Sequence, residues 1–129
     1  NDIQSLEIDF RFDILFPDSC AVEYQDLAVI SGNIFDNAIK ACQEVSPVNE
    51  RFIRFTVKQR HDYLCFKMEN SAYFDKEQVS LLGRTDFNLV HGIGLNNVKM
   101  VAEKYKGNLK ISVDIEKMVF TIIVILTNQ

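Results

Sequence analysis

Regular alternation of apolar and polar residues in three stretches is the feature that most constrains the fold of this chain. Every second residue from Leu6 to Phe16 is apolar, which predicts a strand with one buried face. A second stretch, Phe52 to Asn70, alternates on both sides of a turn around Gln59 to Asp62, which predicts a β-hairpin. The third, Leu109 to Leu126, turns near Glu116-Lys117, and its second arm is apolar enough for an interior strand. Together they predict one mixed or antiparallel sheet of about five strands.

Helical periodicity occupies the gaps between these stretches. An amphipathic helix is predicted between about Tyr24 and Glu44, where apolar residues share one broad face. Further helices are predicted from Asp75 to Leu82 and from about Gly94 to Tyr105, the last ended by Lys106-Gly107. This order favours an α+β fold, a two-layer α/β sandwich with a mixed, mostly antiparallel sheet covered on one face by helices. Residues 1–129 are expected to form a single domain.

Charge and cysteine content exclude several classes of function. Lys and Arg total 14 against 18 Asp and Glu, so the net charge of −4 provides no basic surface for nucleic acid or an anionic membrane. Cys20, Cys42 and Cys65 are odd in number and widely spaced, which indicates buried thiols in a reducing compartment. The longest apolar run, Met118 to Leu126, is too short to cross a bilayer as a helix. We therefore expect a cytoplasmic domain that contacts neither nucleic acid nor membrane.

A polar stripe on the first predicted helix is the first candidate site. Asn33, Asp36, Asn37 and Lys40 share one side of the helix, a spacing that a solvent-exposed face also explains. Asparagine is a poor helix former, and Gly32 costs about 1 kcal/mol relative to Ala, so these residues favour a ligand-binding role. The carboxamide oxygen of Asn37 suits Mg²⁺, which takes its other ligands from water and phosphates. The Lys40 ammonium would face phosphate oxygens.

A pair of glycines before the last predicted helix is the second candidate. Gly92 and Gly94 lie in the segment His91 to Val98, where the backbone could approach a ligand and helix-start N–H groups would attract phosphate. A plain turn before a helix explains the glycines about as well. The upstream stretch with Arg84 and Thr85 is interpreted as a mobile cover over this site, or as an ordinary surface loop.

Asn70, at the end of a predicted strand, is the third candidate. If Leu64, Phe66 and Met68 face the helices, Asn70 does too, and an inward polar residue needs a partner. Asn70-Ser71 is also good turn chemistry. Alternatively, the amide reads a base, because it can accept from an adenine amino group and donate to a ring nitrogen.

In combination, these three elements resemble the catalytic ATP-binding domain of sensor histidine kinases, in the superfamily of gyrase, Hsp90, histidine kinases and MutL. The segment Gly32 to Ala38 together with His91 to Val98 is most similar to the peptide-sensing, accessory-gene-regulator type. The resemblance covers Phe10 to Leu126. It implies the Bergerat α/β sandwich, with ATP held between the helical layer and a lid at about residues 73–93.

The resemblance also implies the residues of an ATP-binding site. Asn37 matches the Mg²⁺-binding asparagine, Asn33 the start of the same box, and Lys40 the basic residue near the phosphates. Asn70 stands where most of the superfamily has an adenine-binding aspartate, and no glycine follows it in Ser71-Ala72-Tyr73. The remaining cofactor-binding residues are assigned to the lid and the second glycine box: Arg84, Thr85, His91, Gly92, Ile93, Gly94 and Leu95.

The implied activity is phosphoryl transfer in a two-component system. ATP bound with Mg²⁺ would donate its γ-phosphoryl group to a histidine on a separate dimerisation helix of the same kinase, with a response regulator downstream. Asn33 replaces the glutamate with which ATP-hydrolysing relatives activate water, and an amide is no general base, so no catalytic residue is assigned here.

The acceptor histidine is expected outside these residues. Neither His61 nor His91 lies on a long amphipathic helix that could dimerise, so the chain is interpreted as the cytosolic part of a longer, membrane-anchored sensor. Two alternatives remain open. One is a degenerate, non-catalytic binding module that has lost ATP affinity, and the other is a serine kinase of the anti-sigma-factor type.

Overall fold

The structure is a computed structural model that describes residues 7–74 and 87–129, with side chains described from residue 94 onward in the second range. Its elements in chain order are β1 (Asp9–Ile14), α1 (Tyr24–Gln43), a short 3-10 helix (Val48–Glu50), β2 (Phe52–Arg60), β3 (Tyr63–Ser71), α2 (Phe87–Lys104), β4 (Asn108–Asp114) and β5 (Val119–Thr127). The predicted helix from Asp75 to Leu82 and residues 75–86 of the predicted lid lie outside the described residues.

The strands form one five-stranded sheet in the order β1-β2-β3-β5-β4. β1 runs parallel to β2, and the other neighbours are antiparallel, so the sheet is mixed. β5 lies between β3 and β4, which explains why it is apolar along nearly its whole length. The predicted sheet, both hairpins and the interior position of β5 are confirmed.

The core lies between the sheet and the two helices. α1 buries one residue per turn along a single stripe: Ile30, Ile34, Ala38 and Cys42. Alternate residues of β5 from Phe120 to Leu126 are buried against the helical layer, as the period of a strand requires. The predicted two-layer α+β sandwich is therefore confirmed. Neither described helix carries an apolar stretch sufficient to span a bilayer.

The edge strand β1 differs from the prediction of a buried apolar face. The side chains of Phe12 and Ile14 are 56% and 51% exposed, although both lie in the predicted alternating pattern. β1 pairs with β2 at the edge of the sheet, whereas α1 packs over β2 and β3. Phe10 packs partly buried against the core, and the Phe12 ring contacts the Phe35 ring of α1 with centroids 6.0 Å apart, so the helical layer covers this face of β1 only in part.

The start of α2 also corrects a prediction. The glycine pair was expected just before a helix beginning at about Gly94, but α2 begins at Phe87 and contains both Gly92 and Gly94. The described last part of the predicted lid is therefore helical. The predicted end of this helix at Lys106-Gly107 is confirmed. Lys106 has a positive φ of 59°, and the Gly107 N–H donates to the Ala102 carbonyl oxygen at 2.8 Å, as in a common helix C-terminus.

A polar cluster joins the first turn of α1 to the last turn of α2. The Asp26 carboxylate accepts a hydrogen bond from the Tyr105 hydroxyl and another from the Lys104 ammonium at 2.9 Å. The Glu23 backbone N–H donates to the Tyr105 hydroxyl oxygen at 3.0 Å. The hydrogen bonds from Tyr105 and Lys104 lower the pKa of Asp26, so the carboxylate stays charged and keeps both helices aligned at this end.

Candidate functional site

Asn70 lies at the C-terminal end of β3, and its side chain is completely buried. Its Nδ2 donates to the Ser71 carbonyl oxygen at 3.0 Å. Its Oδ1 is buried and has no hydrogen-bond partner within the described ranges. Leaving a buried acceptor unpaired costs about 1–3 kcal/mol, so this oxygen fits a ligand that brings a hydrogen-bond donor. The predicted inward orientation of Asn70 is confirmed.

A second polar group lies directly beside Asn70. The Cys42 Sγ lies 3.3 Å from the Phe52 carbonyl oxygen, 3.4 Å from the Ser71 Oγ and 3.6 Å from the Ser71 carbonyl oxygen. The Phe52 backbone N–H donates to the Ser71 Oγ at 3.0 Å. Burial raises the pKa of the Cys42 thiol, which therefore remains a protonated donor at neutral pH. This cluster joins α1, β2 and β3 at the residue that follows Asn70.

This cluster was not predicted from the sequence, where Ser71 was interpreted only as a turn residue. Buried thiols were predicted for all three cysteines, and this is confirmed for Cys42, whereas Cys20 and Cys65 are only half-buried. No local signal identified Ser71, because strand parity places it on the face opposite to Asn70.

The polar stripe of α1 has one half-buried side and one exposed side. Asn33 and Asn37 are half-buried, whereas Asp36 and Lys40 are exposed and form an ion pair at 3.0 Å. The Asn33 Nδ2 donates to the Val29 carbonyl oxygen at 2.7 Å, one turn earlier in the same helix. The solvent-exposed interpretation therefore holds for the Asp36–Lys40 pair, whereas the Asn33 amide is bonded within its own helix and the ligand-binding role of the stripe stays a prediction.

Gly94 brings α2 close to the asparagine stripe of α1. A Cβ atom added at Gly94 would lie 2.8 Å from the Asn33 Oδ1, nearer than such contacts normally allow. The absence of a side chain at Gly94 therefore permits close packing of the two helices at Asn33. The structure thus brings together two residues that the sequence analysis assigned to separate candidate motifs.

The remaining predicted residues are placed as follows. His91, Gly92 and Ile93 lie in α2, while Arg84 and Thr85 lie outside the described residues. The Leu95 side chain is 1% exposed and packs in the core, so a ligand contact from this residue would come from its backbone. Among the described side chains, those of residues 7–74 and 94–129, no three His, Cys, Asp or Glu cluster to hold a metal ion. A Mg²⁺ ion held mainly by water and phosphates needs only one or two protein oxygens, such as that of Asn37.

Replacing Gly94 with alanine is expected to give no gain in stability, although Gly to Ala in a helix normally contributes about 1 kcal/mol. The new Cβ displaces the Asn33 amide and breaks its hydrogen bond to Val29, which offsets the gain in helix propensity by about 0.5–1.5 kcal/mol. Urea unfolding of the purified domain measures the difference.

Gly32→Ala is the matched control, because a Cβ there meets no atom within 4 Å. This variant should be more stable than the wild type by about 1 kcal/mol. Adding Asn33→Ala to Gly94→Ala should restore most of the missing gain, since the double variant removes the clash. Equal stabilisation by Gly94→Ala and Gly32→Ala would show that Asn33 does not restrict residue 94.

The fold is an α+β sandwich in which α1 contacts the end of β3 through Cys42 and Ser71 and contacts α2 through Asn33 and Gly94. A model of the GHKL domain family matches residues 22–126, and the chain belongs to this family. GHKL domains bind ATP, and the helices, the sheet and the buried asparagine are consistent with nucleotide binding. A comparison with curated protein sequences gives no significant match.

Solved histidine kinase structures share the fold. The catalytic domain of histidine kinase ThkA superposes with a TM-score of 0.72 at 18% identity, covering 98% of this chain and 83% of that one. The Acinetobacter baumannii histidine kinase AdeS gives a TM-score of 0.71 at 13% identity, covering 98% of this chain and 57% of that one. The mycobacterial sensor histidine kinase MprB gives a TM-score of 0.65 at 17% identity, covering 95% of this chain and 83% of that one.

Proposed function

We propose that this domain binds ATP with Mg²⁺ and donates the γ-phosphoryl group to a histidine on a separate dimerisation helix of the same kinase. The observation that carries the proposal is the completely buried Asn70, whose Oδ1 has no partner in the described part of the chain. An adenine amino group is a donor of the kind that this oxygen needs. Membership of the GHKL family and the fold shared with histidine kinase catalytic domains support the same assignment.

The residues of α1 would serve the phosphates and the metal. Asn37 is half-buried and would supply a neutral oxygen ligand to Mg²⁺, which when bound neutralises charge on the phosphate oxygens. Lys40 would exchange its exposed pairing with Asp36 for the phosphate, an exchange that costs little because exposed ion pairs are weak. Gly94 keeps α2 against Asn33, so that the two helices bound one site.

The chemistry at Asn33 favours transfer over hydrolysis. An amide cannot take a proton from water, and the Asn33 Nδ2 is already bonded to the Val29 carbonyl oxygen. Phosphoryl transfer asks the protein chiefly for positioning and charge neutralisation, which a site without a general base can provide. We propose that residues 73–93 act as the lid and that the chain is the cytosolic part of a membrane-anchored sensor of the peptide-sensing type, acting on a response regulator.

The experiment is calorimetric titration of the domain with a non-hydrolysable ATP analogue, in Mg²⁺ and in EDTA. We expect the wild type to bind at least about tenfold more tightly with Mg²⁺, because the metal links the phosphates to Asn37. In Asn37→Ala this dependence on Mg²⁺ should largely disappear. Binding by the control Asn49→Ala, an exposed asparagine of the 3-10 helix, should match that of the wild type.

Two outcomes contradict the proposal. Absence of binding at millimolar nucleotide would favour the non-catalytic binding module. Undiminished Mg²⁺ dependence in Asn37→Ala would remove Asn37 as the metal ligand.

A further inference from the structure

The orientation of the Asn70 amide decides what the site can recognise. A carboxamide offers an acceptor at one end and a donor at the other, so a free asparagine reads an amino group or an oxo group equally well by turning over. Here the donor end is occupied, because Nδ2 is bonded to the Ser71 carbonyl oxygen at 3.0 Å. Only the acceptor end, Oδ1, is left without a partner among the described residues.

We propose that Cys42 and Ser71 are positioning residues that keep the Asn70 amide in this one orientation. The site then takes a purine that carries an amino group at its sixth position and rejects one that carries an oxo group there. The inference rests on the proposed function, since it concerns the base of the same nucleotide.

The contacts around Ser71 support this role. Its hydroxyl oxygen accepts from the Phe52 N–H at 3.0 Å, and the Cys42 Sγ lies within 3.6 Å of both Ser71 oxygens. The serine hydroxyl is thereby attached to β2 and to α1, and its carbonyl oxygen lies 3.6 Å from the Cys42 Sγ of α1. The thiol can donate because burial raises the pKa of Cys42 and keeps it protonated.

Turning the Asn70 amide over would place Oδ1 against the Ser71 carbonyl oxygen, so that two acceptors face each other without a proton between them. Two facing acceptors are unfavourable in a buried position. The backbone of Ser71 thus selects the orientation, and Cys42 with the Ser71 hydroxyl fixes the backbone.

The test compares ATP with inosine triphosphate, in which an oxo group replaces the amino group, by calorimetric titration in Mg²⁺. We expect the wild type to prefer ATP by about tenfold or more, since a buried acceptor is left unpaired with inosine. Cys42→Val and Ser71→Ala should both reduce this preference to about threefold or less, because the amide can turn over more readily. Cys42→Ser, which retains a donor, should preserve most of the preference.

Ile34→Val is the matched control for general loosening of the core. Ile34 is completely buried on the same helix, and its truncation should lower stability while leaving the ATP preference unchanged. If Cys42→Val does not fold, as judged by circular dichroism, Ser71→Ala tests the same point.

The possible failures are distinguishable. Equal binding of ATP and inosine triphosphate by the wild type overturns the positioning role and the contact of Asn70 with the adenine amino group, and leaves nucleotide binding with Mg²⁺ itself intact. An unchanged preference in both Ser71→Ala and Cys42→Val also overturns it. Failure of the wild type to bind either nucleotide overturns the proposed function together with this inference.

Discussion

Replacing Asn70 with aspartate should destabilise the domain by about 3–5 kcal/mol at neutral pH, the cost of an uncompensated buried charge. The residue is completely buried, and the atom that becomes a carboxylate oxygen lies 3.0 Å from the Ser71 carbonyl oxygen. Where the wild type has a donor facing an acceptor, the variant would have two acceptors. Unfolding in urea, followed by circular dichroism, measures the loss.

The loss of stability in Asn70→Asp should grow as the pH rises. A salt-bridged acid behaves in the opposite way, because its contribution to stability increases with pH. Burial favours the neutral carboxyl, so the pKa of the new aspartate would be raised in the folded state above its unfolded value of about 3.9. Below that value the carboxyl is neutral in both states, and the deficit is smallest. As the pH rises above about 4, the unfolded chain ionises first and the deficit grows until the folded carboxyl also ionises.

Nucleotide binding should fall as well, although most of the superfamily that the chain resembles carries aspartate at this position. The local reason is the Ser71 carbonyl oxygen, which needs the Asn70 Nδ2 as its donor. The control is Asn108→Asp, the same change at an exposed residue of β4, which should alter stability by no more than about 0.5 kcal/mol. Wild-type stability and affinity in Asn70→Asp at pH 8 would show that the Nδ2 contact does not specify this site.

Local sequence patterns predicted the helices and strands well, because the spacing of apolar residues and the residues that form turns or end helices are properties of neighbouring positions. The hairpin of β2 and β3 follows from alternation around a turn, and α1 follows from its buried stripe. The interior place of β5 follows from apolar residues on both of its faces. Each inference used only residues within a single element or its adjacent turn.

The errors occurred where a distant part of the chain decides the outcome. Alternation in β1 shows which residues share a face, but whether a helix covers that face depends on where α1 lies, and Phe12 remains 56% exposed. Gly94 was predicted to lie at a helix start, in a glycine pair where the backbone could approach a ligand. The structure places it inside α2, where the room it leaves accommodates the Asn33 amide.

In the candidate site, too, features that depend on neighbouring residues were predicted, and contacts between distant residues were not. Asn70 was predicted as an inward polar residue from strand parity, which is a local property. The contact of Cys42 with Ser71 spans 29 positions, and no spacing rule connects the two residues. Sequence patterns therefore indicated which polar side chain faces inward, and the tertiary structure was needed to show which groups surround it.

Gly107→Ala should destabilise the domain by about 3 kcal/mol or more, the upper range for inserting an atom into a filled space. A Cβ at Gly107 would lie 1.7 Å from the Ile125 carbonyl oxygen and 2.6 Å from its carbon. These are backbone atoms of β5, and Ile125 is paired on both sides, with Cys65 of β3 and Asn108 of β4. The strand cannot yield without breaking its ladders, so the turn after α2 must move instead.

Urea unfolding and the thermal midpoint measure this loss, and Gly32→Ala again serves as the control, with an expected gain of about 1 kcal/mol where a Cβ has open space. Wild-type stability in Gly107→Ala would mean that the turn adapts freely. The consequence for function follows from connectivity. Gly107 ends the segment that sets the direction of α2, and the same helix presents Gly94 to Asn33, so a shift in the turn moves the helix interface of the proposed phosphate site.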